Sequence, residues 1–215
     1  MYIRIKRLTD FFICIIVFPF FCLLCLLIGL SIKLEDGGPV FYKADRIGIK
    51  GKKFKMYKFR SMKVNSPNIL NGDGSTYNSK NDSRVTKVGK FLRETSLDET
   101  AQILNVIVGD MSLIGPRASG WEALESYKED ELAKMNVRPG ITGYTQAYYR
   151  NSISVREKRL SDVWYANNIS LWLDIKIFFK TIGTVAKRDN LYSNSSAEVD
   201  ATNKTPAFAE TGENQ

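Results

Sequence analysis

The stretch FFICIIVFPFFCLLCLLIGLSI, residues 11–32, contains no charged side chain and is the strongest structural signal in the sequence. As a straight α-helix it would extend about 33 Å, which is enough to span the hydrocarbon core of a membrane. Pro19 divides it into two arms that are each too short to cross, because an internal proline removes one helical hydrogen bond and kinks the helix. The pattern predicts a membrane protein anchored near its N-terminus.

Basic residues flank both ends of this apolar run. Three precede it and six follow it: Arg4, Lys6, Arg7, Lys33, Lys43, Arg46, Lys50, Lys52 and Lys53. Lysine and arginine beside a membrane segment favour the cytoplasmic side, so both ends are predicted to lie on one side. A re-entrant helix that enters one leaflet, bends at Pro19 and returns satisfies this pattern. An ordinary proline-kinked spanning helix is the alternative.

The amino-acid composition limits the catalytic and metal-binding chemistry that the chain can perform. Histidine is absent from the 215 residues, which excludes Ser-His and Cys-His nucleophile systems and histidine-ligated zinc. All three cysteines lie in the apolar run, where a zinc or redox role is disfavoured. The whole chain has a net charge of +8. Residues 191–215 carry −3, so residues 1–190 carry +11. A basic body predicts an anionic partner: a phosphorylated substrate, anionic lipid or nucleic acid.

Apolar spacing predicts a mainly α fold with short β elements, an α+β class. We expect a membrane anchor at 1–35, a small cytoplasmic catalytic domain at 36–190 and a disordered tail at 191–215. Short strands are predicted at 40–42 and 54–59, and a mobile loop at 64–83. Helices are predicted at 84–93, from Leu97, at 121–135 and over 156–187. Trp164 and Trp172 suit an amphipathic helix in the membrane interface, and core packing is the alternative.

Two adjacent carboxylates, Asp98 and Glu99, lie at the start of the helix predicted from Leu97. Ser96 and Glu99 have the spacing of a capping box, so one interpretation of Glu99 is a helix cap. The positive end of a helix favours the ionised form of Asp98, and an ionised carboxylate can act as a nucleophile or metal ligand. In a basic, histidine-free membrane protein, this pair suits displacement at phosphorus.

Several motifs, in a fixed order, resemble the bacterial sugar transferases, the monotopic phosphoglycosyl transferases. The resemblance covers about residues 5–190. The motifs are GPVF at 38–41, Arg46-x-Gly48, FKMYKFRSM at 54–62, RVTKVG at 84–89, LRxxSLDE at 92–99, NVIVGDMSLIGPR at 105–117 and RPGITG at 138–143. The family uses a re-entrant helix broken at a Ser-Pro pair, whereas this chain has Phe18-Pro19 and so keeps only the proline.

The resemblance implies transfer of a phosphosugar from a UDP-sugar to a polyprenyl phosphate, normally undecaprenyl phosphate, with release of UMP. It also implies that the protein is located at the bacterial inner membrane, with its catalytic domain on the cytoplasmic face. Asp98 would be the nucleophile that forms an aspartyl phosphosugar and a contact of Mg²⁺, with Glu99 as its essential partner. Arg93 and Arg117 match arginines that hold phosphate, and Lys58 and Arg138 are assigned to the same phosphate-binding group.

We therefore expect membrane lipid as a partner and no nucleic acid, and the pattern is compatible with a homodimer. Two other hypotheses compete with a covalent intermediate. One is a membrane phosphotransferase in which the lipid phosphate attacks the donor directly. The other is a non-enzymatic basic adaptor for anionic lipid or nucleic acid, which is disfavoured because aromatic nucleic-acid motifs are missing. No residue pattern identifies the donor sugar.

Overall fold

The computed structural model describes residues 2–67, 69, 77, 79, 81–150 and 152–187. Six α-helices and four short strands are formed within them, besides short 3-10 segments: α1 (Tyr2–Asp36), β1 (Phe41–Ile47), β2 (Lys53–Phe59), α2 (Lys87–Glu94), α3 (Ile103–Val108), β3 (Ser112–Ile114), β4 (Gly140–Thr142), α4 (Tyr144–Tyr148), α5 (Val155–Asn167) and α6 (Leu171–Lys187). This arrangement confirms the predicted mainly α fold with short β elements. The predicted tail and most of the loop predicted at 64–83 lie outside the described residues.

Helix α1 contains Pro19 and is long and apolar enough, by length and composition, to cross a membrane. One face is buried against the rest of the chain from Lys6 through Cys14 and Phe21 to Ile32. These spacings keep the side chains on one side of a helix. The opposite face exposes large apolar side chains along its whole length, among them Ile16, Phe20, Leu23, Leu26 and Leu34. Such a continuous exposed apolar face marks a membrane contact.

The two ends of α1 are both bound to the body of the protein. Near the N-terminal end, the Asp174 carboxylate lies 2.7 Å from Lys6 Nζ and accepts a 2.6 Å hydrogen bond from the Tyr2 hydroxyl. Near the C-terminal end, the Glu35 carboxylate accepts hydrogen bonds from the first two backbone amides of α2, at 2.7 and 3.2 Å. Asp36 forms an ion pair with Arg60. The anchor helix therefore lies along the body rather than leaving it at one end.

Strands β1 and β2 form an antiparallel hairpin in which Phe41 lies opposite Phe59. Their rings are stacked with centroids 5.3 Å apart, and Phe59 also contacts Phe21 of α1. Strands β3 and β4 pair in parallel, with Ser112 opposite Gly140. A Cβ atom on Gly140 would lie 2.1 Å from the amide nitrogen of Gly115, so this pairing requires glycine. The hairpin and the parallel pair flank the carboxylates of the predicted site.

Three helix predictions need correction. Residues 121–135 form two 3-10 segments, Trp121–Ser126 and Glu129–Asn136, separated by extended backbone at Tyr127 and Lys128. The helix predicted from Leu97 is a 3-10 segment, Leu97–Gln102, and becomes α-helical only in α3. The helix predicted over 156–187 is divided into α5 and α6, because α5 ends at Asn167.

The two tryptophans have different environments. Trp164 packs against a buried cluster that includes Ile114 and Tyr165, and its ring lies 4.7 Å from that of Tyr144, so core packing is correct there. Trp172 is 65% exposed on α6, beside other exposed apolar side chains, as an interfacial helix requires.

Candidate active site

The carboxylates of Asp98 and Glu99 are presented by a tight turn. Ser96, just before it, has a left-handed backbone with φ of 58° and makes no side-chain capping hydrogen bond. The predicted capping box is therefore wrong. The Glu99 amide donates instead to the backbone oxygen of Ser96, at 3.3 Å, which leaves the Glu99 side chain free to point away from the turn.

Two cations from distant segments contact this pair. Lys58 Nζ, on β2, lies 2.6 Å from Glu99 Oε1 and 3.7 Å from Asp98 Oδ2. Arg117 Nη2 lies 3.4 Å from the same Glu99 oxygen, and its side chain remains 53% exposed. Asp98 itself is only 9% exposed. Four of the predicted site residues thus meet at one point, on the wall of an open groove that Arg93 also lines.

The two carboxyl groups differ in acidity. Burial raises the pKa of Asp98, as does the negative charge of Glu99, and the charge of Lys58 only partly opposes them. Burial also acts to raise the pKa of Glu99, but Lys58 and Arg117 outweigh it and lower the pKa to about 2. Glu99 is therefore the more acidic of the two groups and Asp98 the less acidic. The predicted support of ionised Asp98 by an α-helix N-terminus is wrong, because the local segment is a 3-10 turn and burial dominates.

Arg93 and Arg138 occupy different places. Arg93, in the last turn of α2, donates from Nε to Ser61 Oγ at 3.0 Å and lines the groove. Arg138 donates from Nε to the backbone oxygen of Gly109, at the end of α3, at 2.8 Å, and is not among the residues that line the groove. The structure groups Arg93 with the carboxylates but not Arg138, whose phosphate-binding role stays a prediction.

A buried polar network fixes the backbone that carries Arg117. The Asp162 carboxylate accepts from Arg117 N at 3.3 Å, from Lys134 Nζ at 2.8 Å and from Thr145 Oγ1 at 2.6 Å. Lys134 also donates to the backbone oxygen of Arg117 at 3.2 Å. Sequence reasoning missed this network, since it predicted only a helix over 121–135 and gave Lys134 no partner. No local signal pairs Lys134 with a carboxylate 28 residues away.

The donor atoms at the pair suit a hard cation. In the described part of the chain no group of three or more metal-ligating side chains occurs, but Asp98 and Glu99 are adjacent oxygen donors. Among the described residues the Asp98 carboxylate accepts no hydrogen bond, and its contact with Lys58 is a long 3.7 Å. Mg²⁺ is commonly held by one or two carboxylates together with substrate phosphates and water. These residues fit that pattern.

Comparison with known proteins also indicates a sugar transferase. The model of the bacterial sugar transferase family matches residues 1–188. A UDP-galactose-lipid carrier transferase of Erwinia amylovora is 44% identical over 169 residues, covering 74% of this chain and 35% of that protein. A UDP-glucose:undecaprenyl-phosphate glucose-1-phosphate transferase of Escherichia coli (strain K12) is 39% identical over 186 residues, covering 83% and 39% respectively.

A shorter relative matches over most of its length. An uncharacterized sugar transferase of Bacillus subtilis (strain 168) is 38% identical over 184 residues, covering 84% of this chain and 87% of that protein. The chain thus spans well under half the length of the two relatives with named substrates. Their names differ in the sugar, galactose in one and glucose in the other.

Proposed function

The chain belongs to the bacterial sugar transferase family, and from this membership and the site geometry we propose that it is a membrane-bound phosphoglycosyl transferase. It moves a phosphosugar from a UDP-sugar to undecaprenyl phosphate and releases UMP. This is the first membrane step in assembling a surface glycan. The observation that carries the proposal is the meeting of Asp98 and Glu99 with Lys58 and Arg117 in one open groove.

In the first step, a carboxylate oxygen of Asp98 attacks the phosphorus that bears the sugar. A bond forms between Asp98 and phosphorus, the bond from phosphorus to the bridging oxygen breaks, and its electron pair leaves with UMP. The raised pKa of Asp98 suits this role, since a more basic oxygen is a better nucleophile once it has lost its proton. Glu99 keeps Lys58 and Arg117 beside the reacting phosphate.

Cations reduce the repulsion between an anionic nucleophile and an anionic phosphate. Lys58 offers a compact ammonium within 4 Å of both carboxylates. Arg117 offers an exposed guanidinium fork that can bind two phosphate oxygens at once. Bound through Asp98, Mg²⁺ would neutralise further charge on the phosphate oxygens.

In the second step, an oxygen of undecaprenyl phosphate attacks the same phosphorus and the bond to Asp98 breaks, which regenerates the carboxylate. The lipid acceptor requires a site at the membrane surface. The exposed apolar faces of α1 and α6 support such a location for the groove. The basic residues on both sides of the apolar run support the cytoplasmic face, with α1 as a re-entrant anchor.

The test is a UMP-release assay with purified protein in detergent, Mg²⁺, undecaprenyl phosphate and a panel of UDP-sugars. We expect release with at least one donor and none with Asp98→Ala. Incubation with donor alone should leave a phosphosugar adduct on the wild-type chain, detected by mass spectrometry and absent from Asp98→Asn. UMP release that is the same in wild type and Asp98→Ala would refute the proposal. Activity without any adduct would favour direct attack by the lipid phosphate.

A further inference from the structure

Arg46 belongs to a motif that the proposed chemistry leaves unexplained. It lies one residue before the end of β1, where its backbone bridges to Gly120. The neighbouring amide of Ile47 donates to the backbone oxygen of Ser119 at 3.0 Å. These bonds tie Arg46 to the loop that follows Arg117. Arg46 also lines the groove that contains Asp98 and Glu99.

The charge of Arg46 lacks the compensation that nearby cations have. Lys58 and Arg117 contact Glu99, Arg60 is paired with Asp36, and Lys134 is paired with Asp162. Among the described residues, Arg46 forms no ion pair, and its solvent-shielded Nε has no hydrogen-bond partner. Burial lowers the pKa of Arg46, and so does the charge of Arg117, while Tyr42, Glu122 and Glu99 act in the opposite direction.

The Arg46 guanidinium lies close to Gly120, and the Glu122 carboxylate lies near the same point, since Glu122 Oε2 would also be 3.1 Å from a Cβ atom at Gly120. A Cβ atom at Gly120 would lie 3.1 Å from Arg46 Nη1, so a larger residue there would crowd the end of the fork. Arg46 itself is only partly buried, although its Nε atom is shielded from solvent. Arg46 lines the groove, and a guanidinium fork can bind two phosphate oxygens at once.

We propose that Arg46 binds the second phosphate of the donor, the one that leaves as part of the nucleoside monophosphate. This assignment rests on the proposed function. A donor diphosphate brings two phosphate groups to the groove, and Lys58 and Arg117 are already held by Glu99 next to the nucleophile. Among the described residues Arg46 has no ion-pair partner, and a phosphate bound in the groove would supply one.

A guanidinium at Arg46 would stabilise charge in the first half-reaction only. When the bond from phosphorus to the bridging oxygen breaks, negative charge accumulates on the departing monophosphate. A guanidinium that already holds that phosphate stabilises the developing charge without rearrangement. The acceptor phosphate arrives after this group has left, so Arg46 should act on donor binding and adduct formation rather than on the acceptor.

The test compares binding of UDP and of uridine to the full chain in detergent, by isothermal titration calorimetry. We expect Arg46→Met to weaken UDP binding about 10- to 100-fold, the value of a charge-assisted bidentate contact, and to leave uridine binding unchanged. Arg46→Lys should recover part of the loss. Lys53→Met is the matched control: it removes a charge from the adjacent strand, outside the groove, where Asp45 keeps Lys55 as a partner.

Glu122→Gln separates a ligand role from a structural one. If Arg46 serves mainly to attract Glu122, then Glu122→Gln and Arg46→Met should lower the melting temperature equally and leave the ratio of UDP to uridine affinity unchanged, which would overturn the proposal. Unchanged UDP affinity in Arg46→Met, with a raised KM for undecaprenyl phosphate, would overturn it in favour of the acceptor phosphate. Failure of the wild-type chain to bind UDP would instead count against the proposed function.

Discussion

At the scale of single residues, Lys58 contributes most to the difference in acidity between the two carboxyl groups. Its ammonium contacts Glu99 at 2.6 Å and Asp98 at 3.7 Å. The closer contact keeps Glu99 ionised, while the longer one only moderates the effect of burial on Asp98. The two adjacent acidic residues therefore differ in acidity. Because Asp98 is the proposed nucleophile, the opposite charges of its two neighbours give opposite predictions for two substitutions.

Lys58→Met should move the acid limb of the pH–rate profile to higher pH. The positive charge of Lys58 lowers the pKa of Asp98, so its removal raises that pKa further, and the reactive carboxylate form then appears only at higher pH. The maximal rate should also fall about 10²- to 10³-fold, because one stabilising cation is lost. The profile is measured by UMP release over a range of pH. Lys55→Met, on the same strand and bound to Asp45, should retain the wild-type profile.

Glu99→Gln should move the same limb in the opposite direction. The negative charge of Glu99 raises the pKa of Asp98, so a neutral amide lowers it and the carboxylate persists to lower pH. The rate should still fall, because Lys58 and Arg117 lose the anion that holds them. Parallel shifts in Lys58→Met and Glu99→Gln would mean that Asp98 does not set the acid limb.

At the scale of elements, the loop that carries Arg117 depends on a contact with α5. Asp162, 2% exposed, binds the loop backbone directly and through Lys134. Burial acts to lower the pKa of Lys134, but the charge of Asp162 outweighs it and raises the pKa, so the lysine remains an ammonium. Buried contacts of Asp162 and Lys134 thus fix the backbone that positions the exposed Arg117 side chain in the groove.

Asp162→Ala should destabilise the fold by about 3 to 5 kcal/mol, because it leaves the Lys134 ammonium buried and unpaired. Denaturant unfolding in detergent measures this change. Adding Lys134→Met should recover part of the stability, since the stranded charge is then gone. The exposed pair of Arg156 and Asp130 provides the control, and Asp130→Ala should change the melting temperature little. Equal effects of Asp162→Ala and Asp130→Ala would contradict the role given to the network.

The sequence could predict elements that depend on neighbouring residues, but not those that depend on contacts between distant residues. The apolar anchor helix and the strand that bears Lys58 follow from short patterns of apolar and turn residues, whereas the capped helix predicted at Asp98 is a 3-10 turn. The 3-10 structure of Glu129–Asn136 does not follow from such patterns either, because Glu131 is buried by Arg156 and Arg159 of α5, more than twenty residues away. The same limit applied to Arg138, whose motif gave no indication that Gly109 would accept its hydrogen bond.

At the scale of the whole molecule, the contacts of α1 bear on how the chain meets the membrane. A continuous helix over Tyr2–Asp36 would be about 52 Å long if straight, well beyond a hydrocarbon core of about 30 Å. Yet Asp174 binds one end, and Arg60 and α2 bind the other. A helix crossing the bilayer would carry one of these contacts to the far side, away from the body that makes it.

The expected topology therefore puts both ends of α1 on the same side of the membrane as the groove that contains Asp98 and Glu99. Single cysteines in place of Arg4 and Lys33, both exposed, test this in a background without the three native cysteines. Glu129→Cys marks the side of the body. A membrane-impermeant maleimide should label all three variants in inverted vesicles and none in intact spheroplasts. Labelling of positions 4 and 33 from opposite sides would establish a spanning helix, and it would require at least one set of the end contacts to break in the membrane.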